Sequence, residues 1–146
     1  MADERQFCTF KVDEFHFGVE VLQVQELIRF QEMTRVPLAS DVIRGLINLR
    51  GQIVTAIDLR RKLGMPPLAG DHRPMNVVVR TGDGVVSLLV DEIGDVLNVS
   101  EDSFERPPET VSGVARELTS GVYKLKDRLL MILDTEKAAN STGVAA

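Results

Sequence analysis

The chain has 146 residues, 44% of them hydrophobic and 27% charged, the composition of one globular domain long enough to bury a real core. A formal net charge of −5 argues against broad electrostatic attraction to nucleic acid or to an anionic membrane surface. The first six residues are polar and acidic, and no apolar run approaches a membrane span, so a cytoplasmic location is expected.

Strands are expected over 7–12 and 15–19, the second carrying Phe15 and Phe17 on one face. Cys8 is the only cysteine, which excludes an internal disulfide, and its strand-like setting reads as a buried, inert thiol. Val21, Leu22, Val24, Leu27 and Ile28 fit a helical period about as well as a strand, so a short helix or an irregular strand is expected. Val36-Pro37-Leu38 is extended because the residue before proline is pushed out of the α region. Ser40-Asp41 is placed to cap one helical turn ending at Gly45.

The middle of the chain reads as strand, tight turn, strand and capped helix. Leu46-Ile47-Asn48-Leu49 is an apolar extended run interrupted by one amide, and the β-branched run over 53–57 fits a strand buried on both faces. Arg50-Gly51 falls at the hairpin tip, where glycine supplies positive φ and the guanidinium is pushed outward. Asp58 caps the following helix, Arg60, Arg61 and Lys62 lie toward its negative end, and Gly64 stops it ahead of Met65-Pro66-Pro67.

A surface loop follows at 68–74, then strands over 75–81 and 85–91 around Gly82-Asp83-Gly84. Gly94 and Asp95 break the chain before a strand over 96–99. Residues 100–117 are acidic, proline-bearing and poorly patterned, hence loop. A last hairpin joins 121–125 to 128–133, and 134–139 starts a short helix. Residues 1–6 and 140–146 are expected to be flexible termini flanking a single domain over 7–139.

Eight or nine short strands with brief helices mean a mainly-β sandwich or barrel, and the strand pairs on either side of the 68–74 loop suggest two small lobes sharing a core. Charge is unevenly divided: residues 41–62 hold five bases against two acids, and residues 89–109 hold one base, Arg106, against seven acids. Such asymmetry suits either solvated faces or two different partner surfaces.

No catalytic constellation is present. His16 and His72 have no second ligand at metal spacing, Gly82-Asp83-Gly84 precedes a strand where phosphate loops precede a helix, and Asp91, Glu92 and Asp95 lack the ligand series of a calcium loop. The chain therefore reads as a binding protein. Asn48 either fastens the hairpin through a hydrogen bond or meets a partner. Arg50 has the chemistry of an interface anchor, and Glu26 is either solvated or paired with Arg29 or Arg50.

In order along the chain, Phe17-Gly18-Val19-Glu20-Val21, Val24-Gln25-Glu26, Arg44-Gly45-Leu46-Ile47-Asn48-Leu49-Arg50-Gly51, Asp58-Leu59-Arg60, Val90-Asp91 and Gly121-Val122-Tyr123 resemble the landmarks of the CheW chemotaxis coupling-protein family. The resemblance implies two intertwined SH3-like five-stranded β-barrels sharing a hydrophobic core, with no enzymatic activity and no cofactor. It implies an adaptor between the cytoplasmic tip of a chemoreceptor and the regulatory domain of a CheA-type histidine kinase. By position, Val24, Glu26, Gly45, Asn48, Leu49, Arg50 and Gly51 match the receptor-facing segment. Val77, Glu105 and Thr110 match regions facing the kinase, although Glu105 and Thr110 stand where a basic and an aromatic residue can occur. The absence of a receiver-like stretch favours a free-standing adaptor over a larger CheV-type scaffold. Outside that family, the residues also fit a small ligand-binding split barrel, for example one that binds flavin.

Overall fold

A computed structural model describes residues 4–70 and 72–140. In it the chain is mainly β. Strands β1 (Glu4–Val12) and β2 (Phe15–Glu20) lead through a 3-10 turn at Val21–Gln23 into β3 (Val24–Ile28). Next come β4 (Ile43–Leu49), β5 (Gln52–Asp58) and helix α1 (Leu59–Lys62), then β6 (Met75–Thr81), β7 (Gly84–Val90) and β8 (Glu92–Ser100). A second 3-10 turn, Glu101–Ser103, precedes β9 (Phe104–Glu105), α2 (Gly113–Glu117), β10 (Thr119–Lys124), β11 (Leu129–Leu133) and α3 (Thr135–Ala139).

These strands form two sheets. The first has the order β8-β1-β2-β11-β10-β9 and the second β3-β6-β7-β5-β4. Leaving aside the two-residue β9, each has five strands, as the family resemblance implies. The chain enters the second sheet after β2 and returns to the first after β7, so the first is assembled from both ends of the chain. Its two ends join in a parallel pairing of β2 with β11, Phe17 opposite Met131.

Both sheets share one core. Phe10, Val12, Phe17 and Val19 of the first pack in the same cluster as Ile57, Val77, Val79, Leu88 and Val90 of the second. Full burial of side chains of this size contributes roughly 1.5–3 kcal/mol each before entropy is counted, so this shared cluster is the main source of stability. A smaller cluster of Phe7, Tyr123, Leu130 and Ile132, with Leu97 and Val99 of β8 against it, fills the inside of the first sheet. Cys8 lies buried in β1, and burial pushes its thiol pKa up, in keeping with an inert thiol.

Several expectations need correction. Residues 40–45 form no helical turn: the Ile43 N–H donates to the Ser40 carbonyl at 2.9 Å and β4 begins at once, so Gly45 is a strand residue. Val21–Ile28 divides into the 3-10 turn and β3, which explains its mixed periodicity. Gly94 and Asp95 do not break the chain; they sit within β8, where the pairing with β1 shifts register. Residues 100–117 contain β9 and α2. Glu4, Arg5 and Gln6, expected to be flexible, pair with Ser100, Val99 and Asn98. The reading of 140–146 as a frayed end falls, beyond Asn140, outside the described residues.

Candidate protein-binding site

The β4–β5 hairpin closes through a two-residue turn, with Leu49 opposite Gln52 and Asn48 opposite Ile53. Arg50 and Gly51 both take positive φ, 52° and 89°, the combination that matches the twist of paired strands. Glycine adopts this at no steric cost. Arg50 does so at a cost of order 1 kcal/mol, and the Asn48 side-chain carbonyl helps to hold the turn by accepting the Gly51 N–H at 2.8 Å. Asn48 itself is exposed, so it fastens the hairpin without being buried.

The Arg50 guanidinium reaches away from its own strand to Glu26. One nitrogen donates to Oε2 at 3.0 Å and the other to Oε1, a bidentate pair in which Arg50 is 80% exposed and Glu26 only 18%. Glu26 lies on β3 and Arg50 at the end of β4, the two outer strands of the second sheet. The pair thus joins its edges, and the sheet closes on itself.

Gly45, buried on β4, permits a second contact. Thr34 and Leu46 exchange backbone hydrogen bonds at 2.8 Å each, and a Cβ on Gly45 would stand 2.7 Å from the Thr34 carbonyl oxygen. Val24 and Leu49 are each half-buried and leave part of their apolar surface open. Next to Asn48, Ile53 is 61% exposed, although the sequence reads this strand as buried on both faces. It adds an apolar group to the surface that the β-branched pattern alone conceals.

Of the three residues matched to the kinase-facing regions, only Glu105 and Thr110 are exposed. Val77 is fully buried at the centre of β6, in the shared core, and so cannot itself touch a partner. Glu105 is exposed on β9, opposite Val122, with an ion pair to Lys124 at 3.5 Å. Thr110 is exposed in the turn before α2. Beside Glu105, Phe104 is 44% exposed with its ring 5.3 Å from that of Tyr123, a surface aromatic that the acidic, loop-like composition hides.

Among the described residues no group of three or more His, Cys, Asp or Glu side chains could hold a metal ion. A cleft of about 490 Å³ lined by Phe10, Met75, Ile93, Lys11, His16 and Glu92 is amphipathic, without a nucleophile and base in contact. His16 has its pKa lowered by burial and by Arg128 and Lys11 nearby. No helix among the described residues is long and apolar enough to cross a membrane.

The chain is thus a shared-core double β-sheet protein with a fastened, arginine-tipped hairpin. The chain belongs to the family of the CheW-like domain, whose model matches residues 6–143. It is 33% identical over 141 residues to chemotaxis protein CheW of Klebsiella aerogenes, covering 97% of this chain and 85% of that protein. With chemotaxis protein CheW of Bacillus subtilis it shares 34% identity over 129 residues, 88% of this chain and 83% of the relative. The solved structure of the scaffolding protein TtCheW from Thermoanaerobacter tengcongensis superposes with a TM-score of 0.81 at 26% identity, covering 92% of this chain and 90% of the other.

Proposed function

We propose that this protein is a non-enzymatic adaptor of chemosensory signal transduction, coupling chemoreceptor cytoplasmic tips to a CheA-type histidine kinase. The observation that carries this reading is the meeting of Glu26 with the Asn48, Leu49, Arg50 and Gly51 hairpin, in a chain whose relatives are named chemotaxis and scaffolding proteins. A flavin-binding split barrel gains no support from that membership.

In this reading Val24, Glu26, Gly45, Asn48, Leu49, Arg50 and Gly51 make up the receptor-facing segment. A helical receptor tip offers apolar side chains and carboxylates. Val24 and Leu49 supply apolar surface to the first, and Arg50, with most of its side chain in solvent, offers a charged fork to the second. Glu105 and Thr110 lie on the kinase-facing side, while Val77 supports β6 from within. The adaptor works in the cytoplasm, recruited to receptor arrays, with no nucleic acid, no direct membrane contact and no cofactor. Coupling then consists of two interfaces occupied together, each ligand biasing the other's equilibrium.

The test is co-sedimentation of a CheA-type kinase with a receptor cytoplasmic fragment. Wild-type protein is expected to bring kinase into the pellet and Arg50→Glu to lose that ability. Recruitment by neither protein, with cognate partners, overturns the adaptor reading.

A further inference from the structure

No backbone ladder joins the two sheets among the described residues. They meet through apolar side chains, whose attraction has no preferred direction, and through a few polar contacts. Gly82 donates its N–H to Glu136 of α3 at 2.9 Å, the Lys62 ammonium donates to the Asn140 carbonyl, and Arg80 reaches the Leu22 carbonyl at 3.2 Å where the chain first crosses over. Arg60 is of another kind. Among the described residues it makes the only ion pairs linking one sheet to the other.

Arg60 stands on α1, directly after β5 of the second sheet, and its side chain is 12% exposed. Its Nη1 donates to Asp91 Oδ2 at 2.5 Å, its Nε donates to the Pro66 carbonyl at 2.7 Å, and its Nη2 faces Asp13 Oδ1 at 3.8 Å. Asp91 is the single residue between β7 and β8, the point where the chain returns to the first sheet. Its N–H donates to the Lys11 carbonyl of β1 at 2.9 Å. Asp13 makes the β1–β2 turn at a φ of 55° and donates its N–H to the same Asp91 Oδ2 at 2.7 Å. One arginine of the second sheet therefore grips the crossing point and a turn of the first.

Burying two charges costs about as much as their attraction returns, so such a pair is weak evidence of stabilisation. What it supplies is direction, because a planar guanidinium hydrogen-bonded at once to the Pro66 carbonyl and the Asp91 carboxylate, with the Asp13 carboxylate beyond, is held in a narrow range of geometry. Asp91 Oδ1 is buried with no hydrogen-bond partner among the described residues, so the carboxylate is held through Oδ2 alone. We propose that Arg60 and Asp91 are positioning residues that fix the angle between the two sheets. The receptor-facing segment lies on the second sheet and Glu105 on the first, so this angle sets how the two surfaces face one another. That functional consequence rests on the adaptor reading; the angle does not.

The test measures backbone residual dipolar couplings on the full chain in a weakly aligning medium, fitting an alignment tensor to each sheet. One tensor is expected to fit both sheets of the wild type. In Arg60→Met/Asp91→Leu, where no charge is left buried alone, each sheet is expected to keep its own internal fit while the two tensors diverge in orientation or magnitude. A single wild-type tensor for both sheets of the variant overturns the proposal. If the double variant does not fold, Arg60→Lys carries the test: its ammonium keeps the charge but not the fork, so separate tensors are expected and one common tensor overturns. In the co-sedimentation assay the folded variant is expected to recruit at least fivefold less kinase than wild type while binding receptor fragment alone within twofold. Failure of the wild type to recruit kinase would count against the adaptor reading and leave the orientation result standing.

Discussion

Arg50, in the turn that follows edge strand β4, meets Glu26 of the opposite edge strand β3 in a bidentate ion pair that joins the two edges of the second sheet. With Arg50 mostly in solvent, the pair contributes at most about 1 kcal/mol to stability, because water and salt screen it. The exposed guanidinium remains available to a partner's carboxylate. Arg50→Glu also sets a second carboxylate against the mostly buried Glu26, so it is expected to stay folded with a loss of roughly 1–3 kcal/mol in urea and to bind a receptor fragment at least roughly tenfold more weakly, about 1.4 kcal/mol. Unchanged affinity by titration calorimetry would remove Arg50 from the receptor-facing segment.

Gly45 makes a prediction of the opposite kind, on stability through the backbone. In Gly45→Ala the new methyl would stand 2.7 Å from the Thr34 carbonyl oxygen and 3.0 Å from Met33 Cβ. Backbone cannot swing aside as a side chain can, so a loss of roughly 1–3 kcal/mol is expected from urea unfolding. Faster hydrogen exchange at Thr34 and Leu46 should accompany it. A variant as stable as wild type, with both amides still protected, would show that the segment yields freely.

For Val77 the two possible roles separate by measurement. Val77→Ala removes two fully buried methyl-sized groups from the shared core, and about 2–3 kcal/mol of stability should go with them. At a temperature where the variant is fully folded, its affinity for the kinase regulatory domain should match wild type. A wild-type melting curve with weakened kinase binding would mean that β6 opens to expose this residue.

Burial, Arg128 and Lys11 lower the His16 pKa below the ordinary 6.5. The unfolded chain then binds the proton more readily than the folded one just below pH 6.5, so stability falls as pH drops from 6.5 through the depressed value and is fully present above it. His16→Gln should flatten that part of the pH–stability curve, read from urea midpoints at closely spaced pH values. An unaltered slope would assign the acid sensitivity to other groups.

Much of this architecture is legible in the chain because its signals are local. The hairpin tip, the Asp58 cap that accepts the Arg61 N–H at 3.2 Å, and the Asp134 cap of α3 each depend on residues a few positions apart. What escapes is set by distant partners. Glu26 could be assigned to Arg50 only once the edges of a sheet had met, and β9 exists because Phe104 finds Tyr123. Val77 illustrates another limit, since a family position says where a residue falls but not whether its side chain points inward. The uneven charge is partly internal as well: Arg60 of the basic stretch neutralises Asp91 of the acidic one.

The parallel pairing of β2 with β11 has a consequence for how the molecule is made. The second sheet lies in one uninterrupted middle segment, whereas Phe17 must wait for Met131, more than a hundred residues later, before the first can close. On the ribosome the middle segment can assemble while β1 and β2 lack their last partners, and loop closure over that distance is slow. Until synthesis passes β11, Phe10, Phe17 and Val19 lack the β10 and β11 members of their cluster, Val122, Met131 and Leu133, and stay partly open to unwanted contacts.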